Sequence, residues 1–199
     1  MPSRLVAFTL LSSALCAQAA SLAVTVVDDA GKPLPGAVVM LEPASGKLPV
    51  KPMAQVDIGQ SKRQFTPQVT VVTAGTPVNF PNFDTVRHHV YSFSPIKPFE
   101  LKLYAGVPNA PIVFDKPGTA VLGCNIHDRM AAWVVVVDTP HHARTAADGQ
   151  VRLDNVPAGS YRLRAWHQAV PAGKEPAAEA LTMAGTDMSA QIKLPASLP

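Results

Sequence analysis

Residues Phe114–Met130, FDKPGTAVLGCNIHDRM, followed at once by AAWVVVV over residues 131–137, decide the fold of this chain. Short runs rich in Val, Thr and Ala on either side of a polar loop are typical of two β-strands joined by that loop. The loop places Cys124, His127 and Met130 at three-residue intervals. A tight loop with this spacing can point all three side chains at one centre.

The rest of the sequence repeats the same strand pattern. Short apolar and β-branched runs recur from Leu22–Val27 to Ser189–Leu194, separated by Gly, Pro, Asp and Asn. The 20 prolines fit turns and sheet edges better than helix interiors. We therefore predict an all-β chain made of β-sandwiches.

Charge and hydropathy exclude some classes of partner. The net charge of +3 falls to +2 without Arg4, and no long basic run marks a nucleic-acid surface. Arg4, the apolar run 5–15 and the Ala-Gln-Ala cleavage site at 17–19 form a predicted signal peptide over residues 1–19. That apolar run is shorter than the about 20 residues that span a bilayer. We expect an exported, periplasmic protein with no membrane span.

Cysteine usage points to a special role for one thiol. With Cys16 in the predicted signal peptide, Cys124 is the single cysteine of the mature chain. Exported proteins usually pair their cysteines, so a lone one suggests an intermolecular bridge, a reactive thiol or a metal ligand.

The residue types around Cys124 favour a copper site. Upstream, His88 and His89 begin another predicted strand. Two imidazoles, one thiolate and a weak axial thioether are the ligands of a mononuclear type 1 (blue) copper site, and the thioether argues against zinc. Adjacent strand residues face opposite sides, so only one of the two histidines can face the metal.

The stretch 52–138 resembles the cupredoxins, most closely the amicyanin type, which share the Cys-x-x-His-x-x-Met spacing of residues 124–130. The resemblance implies a Greek-key β-sandwich with one type 1 copper, bound by His88, Cys124, His127 and Met130. It places His89 where the family usually has an Asn that braces the cysteine loop. His89 is therefore either a brace behind the ligands or the alternative ligand.

The flanks resemble another family. Residues 24–39 and 145–163 resemble the carboxypeptidase-regulatory-like (transthyretin-like) sandwich, whose corresponding segments normally lie close together in sequence. One interpretation is a second small β-sandwich, made of residues 20–42 and 139–199, into which the cupredoxin domain is inserted. The other is two consecutive domains, with residues 22–42 supplying the first strands of the copper domain.

Two functions follow from this organisation. The first is a one-electron carrier between redox partners, with an amine dehydrogenase or a cytochrome c as examples. The second is a non-redox copper carrier or scaffold protein, whose outer sandwich binds a protein or a glycan. An enzyme is not expected, because four protein ligands leave no evident open position for a substrate.

Overall fold

The computed structural model describes residues 20–171 and 177–196, and every regular element in these ranges is a β-strand. The prediction of an all-β chain is confirmed. The predicted signal peptide, residues 1–19, lies outside the described residues. The described ranges contain no helix with the length and apolar character needed to cross a membrane.

Short connections join the strands along the chain. In chain order the strands are β1 Ala20–Val27, β2 Val38–Pro43, β3 Val56–Asp57, β4 Gly59–Ser61, β5 Gln64–Thr66, β6 Val69–Thr73, β7 Thr76–Asn79, β8 His88–Ser92, β9 Phe99–Tyr104, β10 Ile112–Phe114, β11 Gly118–Cys124, β12 Ala131–Val137, β13 His142–Arg144, β14 Gln150–Val156, β15 Gly159–Trp166, β16 Ala177–Met183 and β17 Met188–Lys193.

The strands form two sandwiches, each around its own apolar core. In the outer sandwich, the sheets β14-β1-β17 and β13-β2-β15-β16 enclose one core. In the inner sandwich, the sheets β6-β12-β11-β8-β9 and β10-β7-β3 enclose another, together with the hairpin β4-β5. Strands β1 and β2 pair with β13, β14, β15 and β17, and not with the strands of the inner sandwich.

A third apolar layer joins the two sandwiches. In β2, alternate side chains divide between two cores, so that Val39 and Leu41 face the outer core while Val38 and Met40 face the inner sandwich. Strand β12 divides in the same way, which explains the unbroken apolar run in its sequence. The joining layer consists of Val38, Met40, Val69, Val135, Val137 and Trp166, with Val71 and Trp133 packed against it.

Candidate metal centre

The candidate centre lies where β11 ends inside the inner sandwich. Alternation along β11 turns Ala120, Leu122 and Cys124 toward the inner core, and the side chains of all three belong to that core. Cys124 is only 3% exposed and forms no disulfide. The loop then turns back at a hydrogen bond from the Met130 N–H to the His127 carbonyl, 2.8 Å long.

Two imidazole nitrogens face the Cys124 sulfur. The Sγ atom lies 3.7 Å from Nδ1 of His88 and 3.9 Å from Nδ1 of His127. The donor atoms of the three residues all lie within 4.8 Å of one another, and the two imidazole rings are 5.1 Å apart between centroids. The fold therefore assembles three of the four expected ligands, from β8, from the end of β11 and from the loop that follows.

Met130, the fourth expected ligand, is buried at the same end of the inner sandwich. It is 2% exposed and belongs to the same apolar core as Cys124. Both residues also line one surface groove of about 470 Å³. The Met130 side chain is thus buried in the core that also contains the Cys124 side chain.

The bracing or alternative ligand, His89, points the other way. Its Nε2 atom lies 2.9 Å from Oε1 of Glu100 on β9, a distance that permits an ion pair without the alignment of a hydrogen bond. The His89 ring meets Tyr91 edge to face. Toward the cysteine loop it offers its backbone carbonyl, which accepts from the Asn125 N–H at 3.4 Å. Among the described residues, His88 and not His89 belongs to the cluster of possible metal donors.

Asp84 joins this site, although no sequence pattern marks it as a site residue. Its Oδ2 atom lies 2.8 Å from Nε2 of His88. The Arg63 N–H, and to a smaller degree His88 and the Lys62 N–H, hold the pKa of the Asp84 carboxyl below its ordinary value against the opposing effect of burial. An ionised carboxylate therefore stands directly behind one candidate ligand.

Tyr91 fills the space beside the residue that precedes Cys124. The Tyr91 ring packs so closely on Gly123 that a β-carbon there would lie 2.6 Å from Cζ. An aromatic ring from the neighbouring strand β8 thus covers this position.

The donor atoms of His88, Cys124 and His127 are spaced so that all three could bind one metal ion. Bonds of about 2.0 Å to nitrogen and about 2.3 Å to sulfur, spread by about 120° around one ion, place nitrogen and sulfur about 3.7 Å apart. The two observed separations, 3.7 and 3.9 Å, match this value. A buried thioether as the fourth donor favours copper over zinc, which takes Cys, His or carboxylate ligands.

Comparison with known proteins finds likeness in structure only. No protein-family model and no curated protein sequence matches the chain. Similar solved structures include a purple cupredoxin from Nitrosopumilus maritimus, with 22% identity, 43% of this chain and 100% of that chain covered, and a TM-score of 0.37. Amicyanin from Paracoccus versutus gives 20% identity, coverages of 49% and 97%, and a TM-score of 0.36.

A copper-containing nitrite reductase from Thermus scotoductus is also similar, with 23% identity and a TM-score of 0.40. That match covers 56% of this chain but only 28% of the reductase. Each of these likenesses covers about half of this chain. The chemistry of the centre is inferred from its own donor atoms.

Proposed function

We propose that this chain is an exported type 1 copper protein that carries one electron at a time between redox partners. The observation that carries the proposal is the pair of imidazole nitrogens, 3.7 and 3.9 Å from one buried cysteine sulfur. His88, Cys124, His127 and Met130 would hold the metal, and their two imidazoles, one cysteine sulfur and one thioether are the donor set of a type 1 copper site. When bound, copper supplies the exchange between Cu(I) and Cu(II).

The protein around the ligands supports electron transfer in particular. His88 and Met130 are buried and the ends of β8, β11 and β12 anchor the loop, so the donors need to move little between oxidation states. Four protein donors leave no evident open position for a substrate, which supports a carrier rather than an enzyme.

The surface beside His127 supports docking of a protein partner. His127 is half-buried, and its neighbour Ile126 is 46% exposed. Arg129, in the same loop, is exposed and forms no ion pair with any described residue. An apolar surface with an unpaired cation suits a redox partner with an acidic surface. An amine dehydrogenase and a cytochrome c are the candidate classes.

The domain division and the location belong to the same proposal. Pairing of β1 and β2 with β13, β14, β15 and β17 supports a copper domain, residues 52–138, inserted into an outer sandwich made of residues 20–42 and 139–199. The composition of residues 1–19 supports export to the periplasm.

One observation favours a second function. The outer sandwich has its own core and supplies none of the candidate donors, which a simple electron carrier does not require. A non-redox copper carrier or scaffold, with the outer sandwich binding a protein or a glycan, would use such a unit.

Copper titration tests the first function. We expect mature protein titrated with Cu(II) to develop an intense blue charge-transfer band and a type 1 EPR signal at one copper per chain. Cys124→Ser should lose both while remaining folded by circular dichroism. A band that is absent, or that is unchanged by Cys124→Ser, would contradict the type 1 site.

Electrochemistry then separates the two functions. A carrier should show reversible one-electron cycling without loss of metal. A copper carrier without a redox role should instead release its metal rapidly to a chelator.

A further inference from the structure

The hairpin turn between β4 and β5 fixes the Asp84 carboxylate in place. The backbone N–H of Lys62 donates to Oδ1 over 2.7 Å, and that of Arg63 donates to Oδ2 over 2.9 Å. Both residues have left-handed backbone conformations, with φ of 54° and 59°. Two consecutive N–H groups therefore hold both carboxylate oxygens, without the freedom of a side-chain donor.

The loop that carries Asp84 is fixed as well. The Asp84 N–H donates to Oδ1 of Asn82 at 3.0 Å, and the Asn82 amide donates to the carbonyls of Val86 and Tyr104. Asn82 is buried. The position of the carboxylate is thus determined by the hairpin on one side and by the β8–β9 region on the other.

The fixed carboxylate determines which nitrogen of His88 carries the proton. Both Asp84 oxygens already accept hydrogen bonds from backbone N–H groups, so the group at 2.8 Å from Oδ2, Nε2 of His88, is the further donor. In a neutral imidazole this leaves the lone pair on Nδ1. Nδ1 is the atom that lies 3.7 Å from the Cys124 sulfur.

We propose that Asp84 is a positioning residue of the metal centre, which selects the metal-binding tautomer of His88 and favours Cu(II) over Cu(I). The inference rests on the proposed function. A carboxylate hydrogen bond makes the imidazole a stronger donor, and a nearby negative charge stabilises the more positive ion. Asp84 therefore lowers the reduction potential of the centre.

Three variants separate this role from a merely structural one. Asp84→Asn keeps the size and a hydrogen-bond acceptor but removes the charge, whereas Asp84→Ala removes both. Asp128→Asn is the matched control, because Asp128 is exposed beside His127 and pairs with no described cation. Circular dichroism checks that each variant is folded.

The first measurement uses the copper-free protein. Nitrogen-15 NMR of the histidine rings should find the proton of His88 on Nε2 in the native chain. Asp84→Ala should lose this preference and Asp128→Asn should keep it. A native His88 with its proton on Nδ1 would overturn the proposal, whatever the copper results.

The second measurement is the reduction potential of the copper-loaded protein. We expect Asp84→Asn to lower the affinity for Cu(II) relative to Cu(I) about tenfold, an upward shift of about 59 mV for one electron. Asp128→Asn should shift it much less, because water and salt screen an exposed charge. An Asp84→Asn shift no larger than the control would overturn the tuning role.

The two proposals fail in different ways. A native protein without a blue band rejects the proposed function and the tuning role with it, while the NMR result still decides whether Asp84 selects the tautomer. A native protein with a blue band and a potential unaffected by Asp84→Asn rejects the tuning role alone.

Discussion

The ring of Tyr91 lies against Gly123, so that a β-carbon at position 123 would stand 2.6 Å from Cζ and 2.7 Å from the hydroxyl oxygen. Tyr91 and Gly123 are partners in the pairing of β8 with β11. The ring is further held by stacking on Phe93, with centroids 4.9 Å apart. Glycine at this position therefore lets an aromatic ring cover the strand directly before Cys124.

We expect Gly123→Ala to destabilise the protein by about 1 kcal/mol. Overpacking costs about 1–3 kcal/mol, and the better strand propensity of alanine returns about 0.5–1 kcal/mol of this. Urea denaturation of Gly123→Ala, Tyr91→Ala and the double variant measures the contact. The loss from Gly123→Ala should largely disappear in the Tyr91→Ala background, and a stabilising Gly123→Ala would mean that Tyr91 moves aside freely.

The layer between the sandwiches should couple their unfolding. Trp166 of the outer sandwich is buried and lies 6.4 Å from Trp133 of the inner one, between ring centroids. We expect Trp166→Ala to cost about 3–5 kcal/mol, because it opens a cavity in this layer. Calorimetry should show one cooperative transition for the native chain and a broader or divided one for the variant.

The control for this variant is Val113→Ala, since Val113 is 43% exposed on the edge strand β10. It should change the unfolding free energy by less than about 1 kcal/mol. Two separate transitions in the native chain would contradict the coupling.

Residue pattern alone was sufficient for much of this architecture. Alternation in β11 and the unbroken apolar run of β12 predict the strands on either side of the metal loop, because burial on one face or on both leaves these two patterns. The spacing of Cys124, His127 and Met130 required no tertiary information, since one short loop carries all three. The choice between His88 and His89 as the ligand depended on the opposite orientation of neighbouring strand residues.

The features that could not be predicted from the sequence depend on contacts between segments distant in sequence. The hairpin β4-β5 escaped prediction because Lys62 and Arg63 occupy its turn in place of the Asn and Gly that usually mark such turns. Asp84 escaped because its role comes from the main chain of that hairpin. Strand β13 also escaped prediction, because its pairing with β2 outweighs a weak local strand pattern.

The two neighbouring histidines give a direct test of the ligand set. We expect His88→Gln to abolish the blue band, because it removes a donor at 3.7 Å from the Cys124 sulfur. His89→Gln, the matched control on the opposite face of β8, should keep the position and intensity of the band. Visible absorption of both copper-loaded variants shows which histidine is the ligand, and circular dichroism checks that both variants are folded. The reverse pattern would identify His89 as the ligand.

Residues that favour positive φ should stabilise the turn of the β4-β5 hairpin. We expect Lys62→Asn combined with Arg63→Gly to stabilise the protein by about 1 kcal/mol, because these residues adopt left-handed conformations at lower cost. Urea denaturation measures the gain. Lys102→Gly, at an exposed position of β9 without positive φ, is the control and should lose about 0.5–1 kcal/mol. A loss in the turn variant would show that the native side chains stabilise the turn.

Charge at the metal loop should set the rate of electron exchange with anions. Arg129 is exposed in the loop that carries His127 and forms no ion pair with any described residue, so its field reaches an approaching partner. We expect Arg129→Glu to slow oxidation of the reduced protein by hexacyanoferrate roughly tenfold at low ionic strength, with the difference shrinking as salt screens the charge. Stopped-flow absorption of the blue band measures the rate. Lys193→Glu makes the same charge change on the outer sandwich and should have little effect, because β17 supplies none of the candidate ligands. Equal slowing by both variants would mean that overall charge, and not a local docking surface beside His127, controls the reaction.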